Sequence, residues 1–276
     1  MEAVTSIKRK RNGCIMIKAG NHADRVMSMT IAALFALTIT AFFVFDYTGL
    51  EWKTAILGTL SNLKTMFLAP QLNSVGLPEA IHQVAITLGL ATLATVIGAV
   101  IAFFLGLLAA DNLSNNWVSK TIRTFVAFIR AVPTVLWVLI FAIAAGLGSE
   151  AAVIGMLFHS IAYLVKAFSE SFEEIDEGVI EALRSTGSSW WHVVIHAVIP
   201  STSTYLLSWT FLRFEINFSV AVAMGAAAGA GGIGYELFMA SGFYFDLNEV
   251  GFITYAILAI AILLELLSTK LKKQYL

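Results

Sequence analysis

The chain has 276 residues, 58% of them hydrophobic and 13% charged, and a mean hydropathy of +0.82. Soluble domains carry about 25% charged residues, so this composition belongs to a membrane protein, and a formal net charge of −1 speaks against a nucleic-acid partner, which favours a strongly basic face. The single cysteine, Cys14, excludes an intramolecular disulfide and a thiolate metal cluster.

Residues 1–27 include Lys8, Arg9, Lys10, Arg11, Lys18 and Arg25, a basic lead that holds this end in the cytoplasm. The first apolar run begins near Met29 without an Ala-x-Ala exit, so it reads as an uncleaved span, Ser28 to Phe45, and not as a signal peptide. A bilayer core takes about 20 apolar residues per helix; this span is short but adequate. Residues 46–81, with Trp52, Pro70 and Pro78, read as an external stretch lying partly along the interface. The second span, Val84 to Ala110, repeats Ala94, Gly98, Ala102, Gly106 and Ala110 every fourth position, a ladder of small residues that admits another helix closely. Residues 111–117 with Lys120 and Arg123 form a polar cytoplasmic loop. A third span runs from about Phe125 to Ala145, with Arg130 and Pro133 near its start. After a tight external turn at Gly146 to Glu150, the fourth runs from Ala151 to about Phe168, and Lys166 snorkels to the cytoplasmic side.

A polar stretch follows, residues 181–187 (EALRSTG) and then Ser188 to Pro200, whose grammar is helix, stop, helix. Ile175, Val179 and Leu183 recur at helical spacing, Gly187 suits the left-handed conformation that ends a helix, and Ser188 or Ser189 suits the next N-cap. Such a unit has too little apolar surface to fold alone, and its exposed ridge is shaped for a partner's groove. Ser201 to Met224 is the fifth span, residues 225–249 a glycine-rich external segment, Val250 to Thr269 the sixth span, and Lys270 to Lys273 a basic ending. With both ends inside, only Lys53 and Lys64 fall among the external segments, as the positive-inside rule requires. Long unbroken apolar runs exclude a barrel, whose strands alternate.

Residues 229–234 (GAGGIG) formally match GxGxxG through Gly229, Gly231 and Gly234, with Gly232 between. The dinucleotide fingerprint needs a strand before it, whereas an apolar helix precedes it here; the string reads as an external turn, as a gate where helices close tightly, or as a nest of amides facing an anion. No GxxxxGK[ST] occurs, so any ATP is used by another subunit. In the fifth span, Arg213, Glu215 and Asn217 are polar at a depth where each ionisable residue costs at least about 2.5 kcal/mol. Arg213 and Asn217 share a face and Glu215 points roughly opposite. They read either as ion-pairing groups, for instance Arg130 with Glu215, or as residues of a solute path. His159 and Glu265 are single polar positions that suit interhelical hydrogen bonds. His192 and His196 stand at i, i+4 without the HExxH glutamate, which speaks against zinc. The acidic run Glu170, Glu173, Glu174, Asp176 and Glu177 reads as a solvated face and helix-start bias.

Residues 181–200 resemble the cytoplasmic loop of ABC-importer permeases, whose signature is Glu-Ala-Ala, three residues, Gly, nine residues, then Ile-x-Leu-Pro. Glu181, Ala182, Gly187 and Pro200 fall in register, with Leu183, Ala197 and Ile199 at the varied positions. The likeness extends over about 81–268: residues 130–137 (RAVPTVLW), 213–217 (RFEIN) and 229–234 look like the phosphonate branch, although Ser219 stands where that branch usually has Arg. The resemblance implies an all-α membrane protein, a type I ABC importer transmembrane domain of six transmembrane helices with a cytoplasmic coupling helix. It divides the chain into a basic tail, first span and external segment (1–80), the transmembrane domain (81–269, coupling loop 169–197) and a basic tail (270–276).

The same resemblance implies a permease subunit in the bacterial cell membrane, not itself an enzyme and with no cofactor of its own. ATP and Mg are used by partner ABC ATPase subunits, a second permease copy completes a homodimer, and an extracytoplasmic substrate-binding protein delivers the solute. Glu181, Ala182, Leu183 and Gly187 are then the ATPase-coupling residues, Arg130, Arg213, Glu215 and Asn217 the translocation path, and Gly229, Gly231, Gly232 and Gly234 the gate. Phosphonate, phosphite, a phosphate ester or another small anion suits such a path, and a methionine-like solute is the alternative within the family. A secondary transporter or channel would show halves related by a repeat, and a membrane-embedded enzyme a catalytic cluster; neither is evident in the sequence.

Overall fold

The computed structural model describes residues 7–9, 15–17 and 22–275; Cys14, Lys10, Arg11 and Lys18 lie outside the described residues. Apart from a short antiparallel pair, β1 (Ile7–Arg9) and β2 (Ile15–Ile17), in which Ile7 faces Ile17 and Arg9 faces Ile15, every regular element described is helical. The chain divides into two units at residues 58 and 59.

The first unit carries α1 (His22–Val44). At 1.5 Å per residue its 23 residues span about 35 Å, enough for a hydrocarbon core of about 30 Å. Its end is marked by Asp46, which accepts the Thr48 amide at 2.9 Å, and by Tyr47, whose ring packs between Phe42 and Trp52.

The division falls within α2 (Trp52–Leu68), whose second half belongs to a bundle of α3 (Leu77–Ala109), α4 (Asn116–Ala131), α5 (Thr134–Ala145), α6 (Ser149–Glu173), α7 (Glu177–Ser185), α8 (Trp190–Val193), α9 (Ile199–Ala228), α10 (Ile233–Gly242) and α11 (Leu247–Tyr275). A π-helical turn, Val194–Val198, joins α8 to α9. α6 is central, packed on α3, α5, α9 and α4. The ladder of small residues on α3 is buried: a Cβ on Gly98 would stand 3.0 Å from Ser160 Cβ, and one on Gly106 would stand 3.1 Å from Phe168 Cβ. Gly155 lets α6 meet α5 in the same way, since a Cβ there would stand 2.5 Å from the Val138 backbone.

Among the described residues five helices are long and apolar enough to cross a membrane, and the pair α4 and α5 makes a sixth as a broken span bent by 87°. The third span, expected from about Phe125 to Ala145, is this broken pair. A proline clashes with an α-conformation in the residue before it and has no N–H to donate, so Val132 is extended (φ −92°, ψ 124°) and α5 starts afresh after Pro133. The Ile129 carbonyl at the break accepts the Val132 amide at 3.3 Å and the Trp137 indole N–H at 3.0 Å, which holds the corner. The polar loop expected up to Arg123 is also largely helical, because Asn115 caps α4 by accepting the Trp117 amide at 3.0 Å.

Two further segments fold in part as helices. The segment left as an interfacial stretch contains α2, and its end is tied to α11: the Gln71 amide donates to Asn248 O at 3.1 Å, Asn248 Nδ2 to Ala69 O at 2.6 Å, and the Tyr255 hydroxyl to Phe67 O at 2.9 Å. The segment 225–249, expected as a glycine-rich external stretch, holds the end of α9, all of α10 and the start of α11. Ile233, Ala240 and Ile253 are buried there as a small core of their own.

Candidate functional site

At one end of the bundle the polar stretch forms a braced hook. Asp176 caps α7, accepting the Gly178 amide at 2.7 Å, and Gly187 closes it at φ +81° with its amide on Arg184 O at 2.9 Å. Ser189 caps α8. Burial roots one side of the hook: Ile175, Ile180 and half-buried Leu183 join Leu113, Val193 and Val194 in the largest core cluster. Val179, expected on that stripe, is exposed; the chain turns at Asp176, so the spacing counted through from Ile175 does not carry across. Arg184 Nη2 donates to Asn112 O at 3.0 Å and the Trp190 indole to Leu113 O at 2.8 Å. Glu181, Ala182, Ser185 and Gly187 are left on an exposed ridge.

A charged knot behind the hook ties the ends of α3 and α6 to the middle of α4. Arg123 pairs with Glu173 and lies 3.6 Å from Asp111, while its Nε donates to Ala109 O at 2.9 Å. The Asp111 amide donates to Glu173 Oε1 at 2.7 Å and Asn112 Nδ2 to Phe172 O at 2.8 Å. Glu173 is thus a structural partner and not part of a solvated face, because Arg123, midway along α4, carries a cation to it. Beside the knot, a cavity of about 180 Å³ is lined by Arg123, Arg130, Lys166, Ser169 and Glu170 among others.

Mid-bundle, the polar residues of α9 part company. Asn217 is fully buried and donates to Thr95 Oγ1 at 2.8 Å and Ser160 Oγ at 2.9 Å, stitching α9 to α3 and α6. Arg213, 2% exposed, donates from Nε to Ser160 Oγ at 3.1 Å and lays its guanidinium 5.3 Å from the centre of the Tyr163 ring; its Nη2 has no hydrogen-bond partner. His159 Nδ1 is likewise buried and without a hydrogen-bond partner. Glu215 faces the other way, into a cavity of about 450 Å³ that it shares with Thr134, Val135 and Ser219. It forms no ion pair with Arg130, which lines the separate cavity beside the knot. The bend between α4 and α5 separates the two.

Two amides of the glycine string are pinned to α3. Gly229, Gly231 and Gly232 all have positive φ, but the Gly232 and Ile233 amides donate to Gln83 Oε1 and Thr87 Oγ1 of α3, both at 3.0 Å. Those donors are therefore not free for an anion. A Cβ on Gly225 would stand 2.7 Å from Tyr235 N, and one on Gly234 would collide with the Val222 backbone carbonyl. α9 and α10 thus close at backbone distance. Nearby, buried Glu249 accepts the Ser74 and Val75 amides at 3.1 and 2.9 Å, a latch for which the sequence held no periodic signal.

Apolar helices in a bundle, long enough to cross a bilayer, define an integral membrane protein. The family model described as "binding-protein-dependent transport system inner membrane component" matches residues 102–273, more than half of the chain, and the chain belongs to that family. It is a multi-pass membrane permease. It is similar to the phosphite transport system permease protein PtxC of Stutzerimonas stutzeri, with 30% identity over 249 residues, 89% of this chain and 88% of that protein. It is also similar to the phosphate-import permease protein PhnE of Mycolicibacterium smegmatis, 33% identical over 178 residues, 63% of this chain and 32% of that one; the chain thus spans about a third of the mycobacterial relative. Among solved structures, the inward-facing MetNI methionine ABC transporter matches with a TM-score of 0.67 at 17% identity, over 74% of this chain and all of that one. A bacterial alginate ABC transporter matches with a TM-score of 0.63 at 11% identity, over 91% and 98% of the two chains. At those identities the likeness is one of fold: the type I importer transmembrane domain.

Proposed function

We propose that this chain is the permease subunit of an ATP-driven importer for phosphonate or a related small phosphorus oxyanion. It works as a homodimer with both termini in the cytoplasm, two ATPase subunits against the α7 ridge and a substrate-binding protein on the outer side. ATP and Mg belong to the ATPase. The observation that carries the reading is the hook: a short amphipathic helix rooted by Ile180 and Leu183 and presenting Glu181 and Ala182 is a rigid handle for a partner's groove. The family model and the phosphorus-oxyanion names of the similar permeases supply the substrate class.

The solute path is assigned to the side of α9 that carries Glu215, together with α5 and the Arg130 end of α4. Asn217 and Arg213 are assigned to holding α3, α6 and α9 together, since their hydrogen bonds are spent on Thr95 and Ser160. The gate is assigned to Gly229, Gly231, Gly232 and Gly234, which lie between the end of α9 and the first turn of α10, at the opposite end from the hook; Gly225 and Gly234 make the backbone-distance contact between the two helices.

The test is reconstitution of the chain with its ATPase and binding protein in liposomes. ATP-dependent uptake of labelled phosphite or methylphosphonate is expected. Uptake of methionine in their place moves the substrate to the family's other branch, and uptake without the ATPase overturns the importer reading.

A further inference from the structure

We infer that Glu215 reads the proton on the solute: its carboxylate accepts a hydrogen bond from a P–O–H group, so that the path admits the protonated monoanion and turns back the dianion and proton-free anions such as sulfate. This rests on the reading above and names the solute's protonation state.

Glu215 lies in the middle of a 30-residue helix, α9, at a depth where a carboxylate against lipid is strongly unfavourable. The hydrogen bonds and ion pairs of the described residues leave it without a partner, and it is partly exposed to a cavity of about 450 Å³. The cavity wall also carries the hydroxyls of Thr134 and Ser219. A carboxylate that is neither paired nor sealed within the bundle, beside two hydroxyls, marks a face that meets water and not acyl chains.

An ionised carboxylate only accepts hydrogen bonds. An oxyanion can approach it favourably only by offering a hydrogen, whereas two anions in contact repel. The hydroxyls of Thr134 and Ser219 can donate to the remaining oxygens, giving one acceptor and two donors for an R–PO₂(OH)⁻ group. No other titratable side chain lines this cavity. α5 has none; of those on the elements packed around α9, Arg213 is turned into the bundle, and His159 and Lys166 of α6, Glu79 and His82 of α3, Glu236 of α10 and Glu265 of α11 lie outside the lining. The solute itself titrates across the range tested: the second ionisation of a phosphate monoester falls near pH 6, and that of an alkylphosphonate lies higher because carbon withdraws less charge than an ester oxygen.

The experiment measures ATP-driven uptake of methylphosphonate by the complete reconstituted importer between about pH 5.5 and 8.5, a range that brackets that ionisation, for wild type and Glu215→Gln. The ratio of variant to wild type cancels the binding protein's own pH dependence. It is expected to rise about tenfold across the range, equivalent to relief of a single like-charge contact, and sulfate is expected to compete only in the variant. A ratio flat with pH, with wild-type uptake intact, overturns the inference and leaves the importer reading standing. Absence of phosphorus-oxyanion uptake by wild type overturns both. Should Glu215→Gln fail to assemble with the ATPase, Glu215→Ser at the same cavity wall is read in the same way.

Discussion

At Gly187 the backbone sits at φ +81° with nothing within 4 Å of where a Cβ would project, while at Gly234 a Cβ would meet the Val222 carbonyl. The two glycines therefore fail differently. Gly187→Ala forces an L-residue into the left-handed region, which costs about 1–2 kcal/mol, and Gly187→Asn recovers part of this because Asn tolerates that conformation. Gly234→Ala has no such remedy, since backbone cannot rotate away as a side-chain end can. In thermal melts of the detergent-solubilised protein, Gly187→Ala is expected to lower the midpoint by a few degrees, as about 1 kcal/mol does in a chain of this size. Gly234→Ala is expected to give little folded protein. Equal effects would remove the distinction between strain and collision. The first role is legible in the sequence, because a glycine after an amphipathic run and before Ser188 is a helix stop. The second is not: the carbonyl that crowds Gly234 lies a dozen residues earlier on a helix folded back against it.

Among the elements, the bent pair α4 and α5 depends on two residues that act independently. Pro133 prevents one continuous helix, and Trp137 satisfies the Ile129 carbonyl that the break exposes. Helices of 16 and 12 residues measure about 24 and 18 Å, so at 87° their far ends stand about 30 Å apart, against more than 40 Å if straight. Pro133→Ala is expected to keep the corner, because the indole still holds it; Pro133→Ala with Trp137→Phe is expected to lengthen a spin-label distance between positions 117 and 144 by roughly 10 Å. An unchanged distance in the double variant would place the bend elsewhere. Proline at this point is visible in the sequence, but whether it ends, kinks or merely caps a helix depends on what answers the freed carbonyl. That partner is eight residues away on the far side of the break.

For the molecule as a whole, the proposed coupling requires that the hook move with the bundle: α7 is rooted in the same core cluster as α3, α6 and α8, and Arg123 ties the middle of α4 to the ends of α3 and α6. In the proposed importer a push on the ridge passes to α6, which packs on both helices lining the Glu215 cavity, α5 and α9. Glu181→Lys changes an exposed position and leaves this root intact. It is expected to preserve membrane insertion and thermal stability, within about 0.5 kcal/mol for a surface change, while uptake falls at least about tenfold per ATP hydrolysed, the yield of about 1.4 kcal/mol of lost coupling. Wild-type uptake per ATP in this variant would detach the hook from the motor.

The number and placement of apolar runs, the helix-stop-helix grammar around Gly187 and the small-residue ladder of α3 were determined by the sequence alone, because each is a local pattern read along one helix and the bilayer enforces it. The tertiary structure alone decided which face of α9 is sealed and which is open, which acidic residue meets Arg123, and that the glycine string is closed by Gln83 and Thr87. Those outcomes depend on residues far apart in the chain meeting across helix surfaces. Spacing along a single helix assigns Arg213 and Glu215 to opposite sides; only the packing of α3, α5 and α6 around them turns one inward and leaves the other facing a cavity.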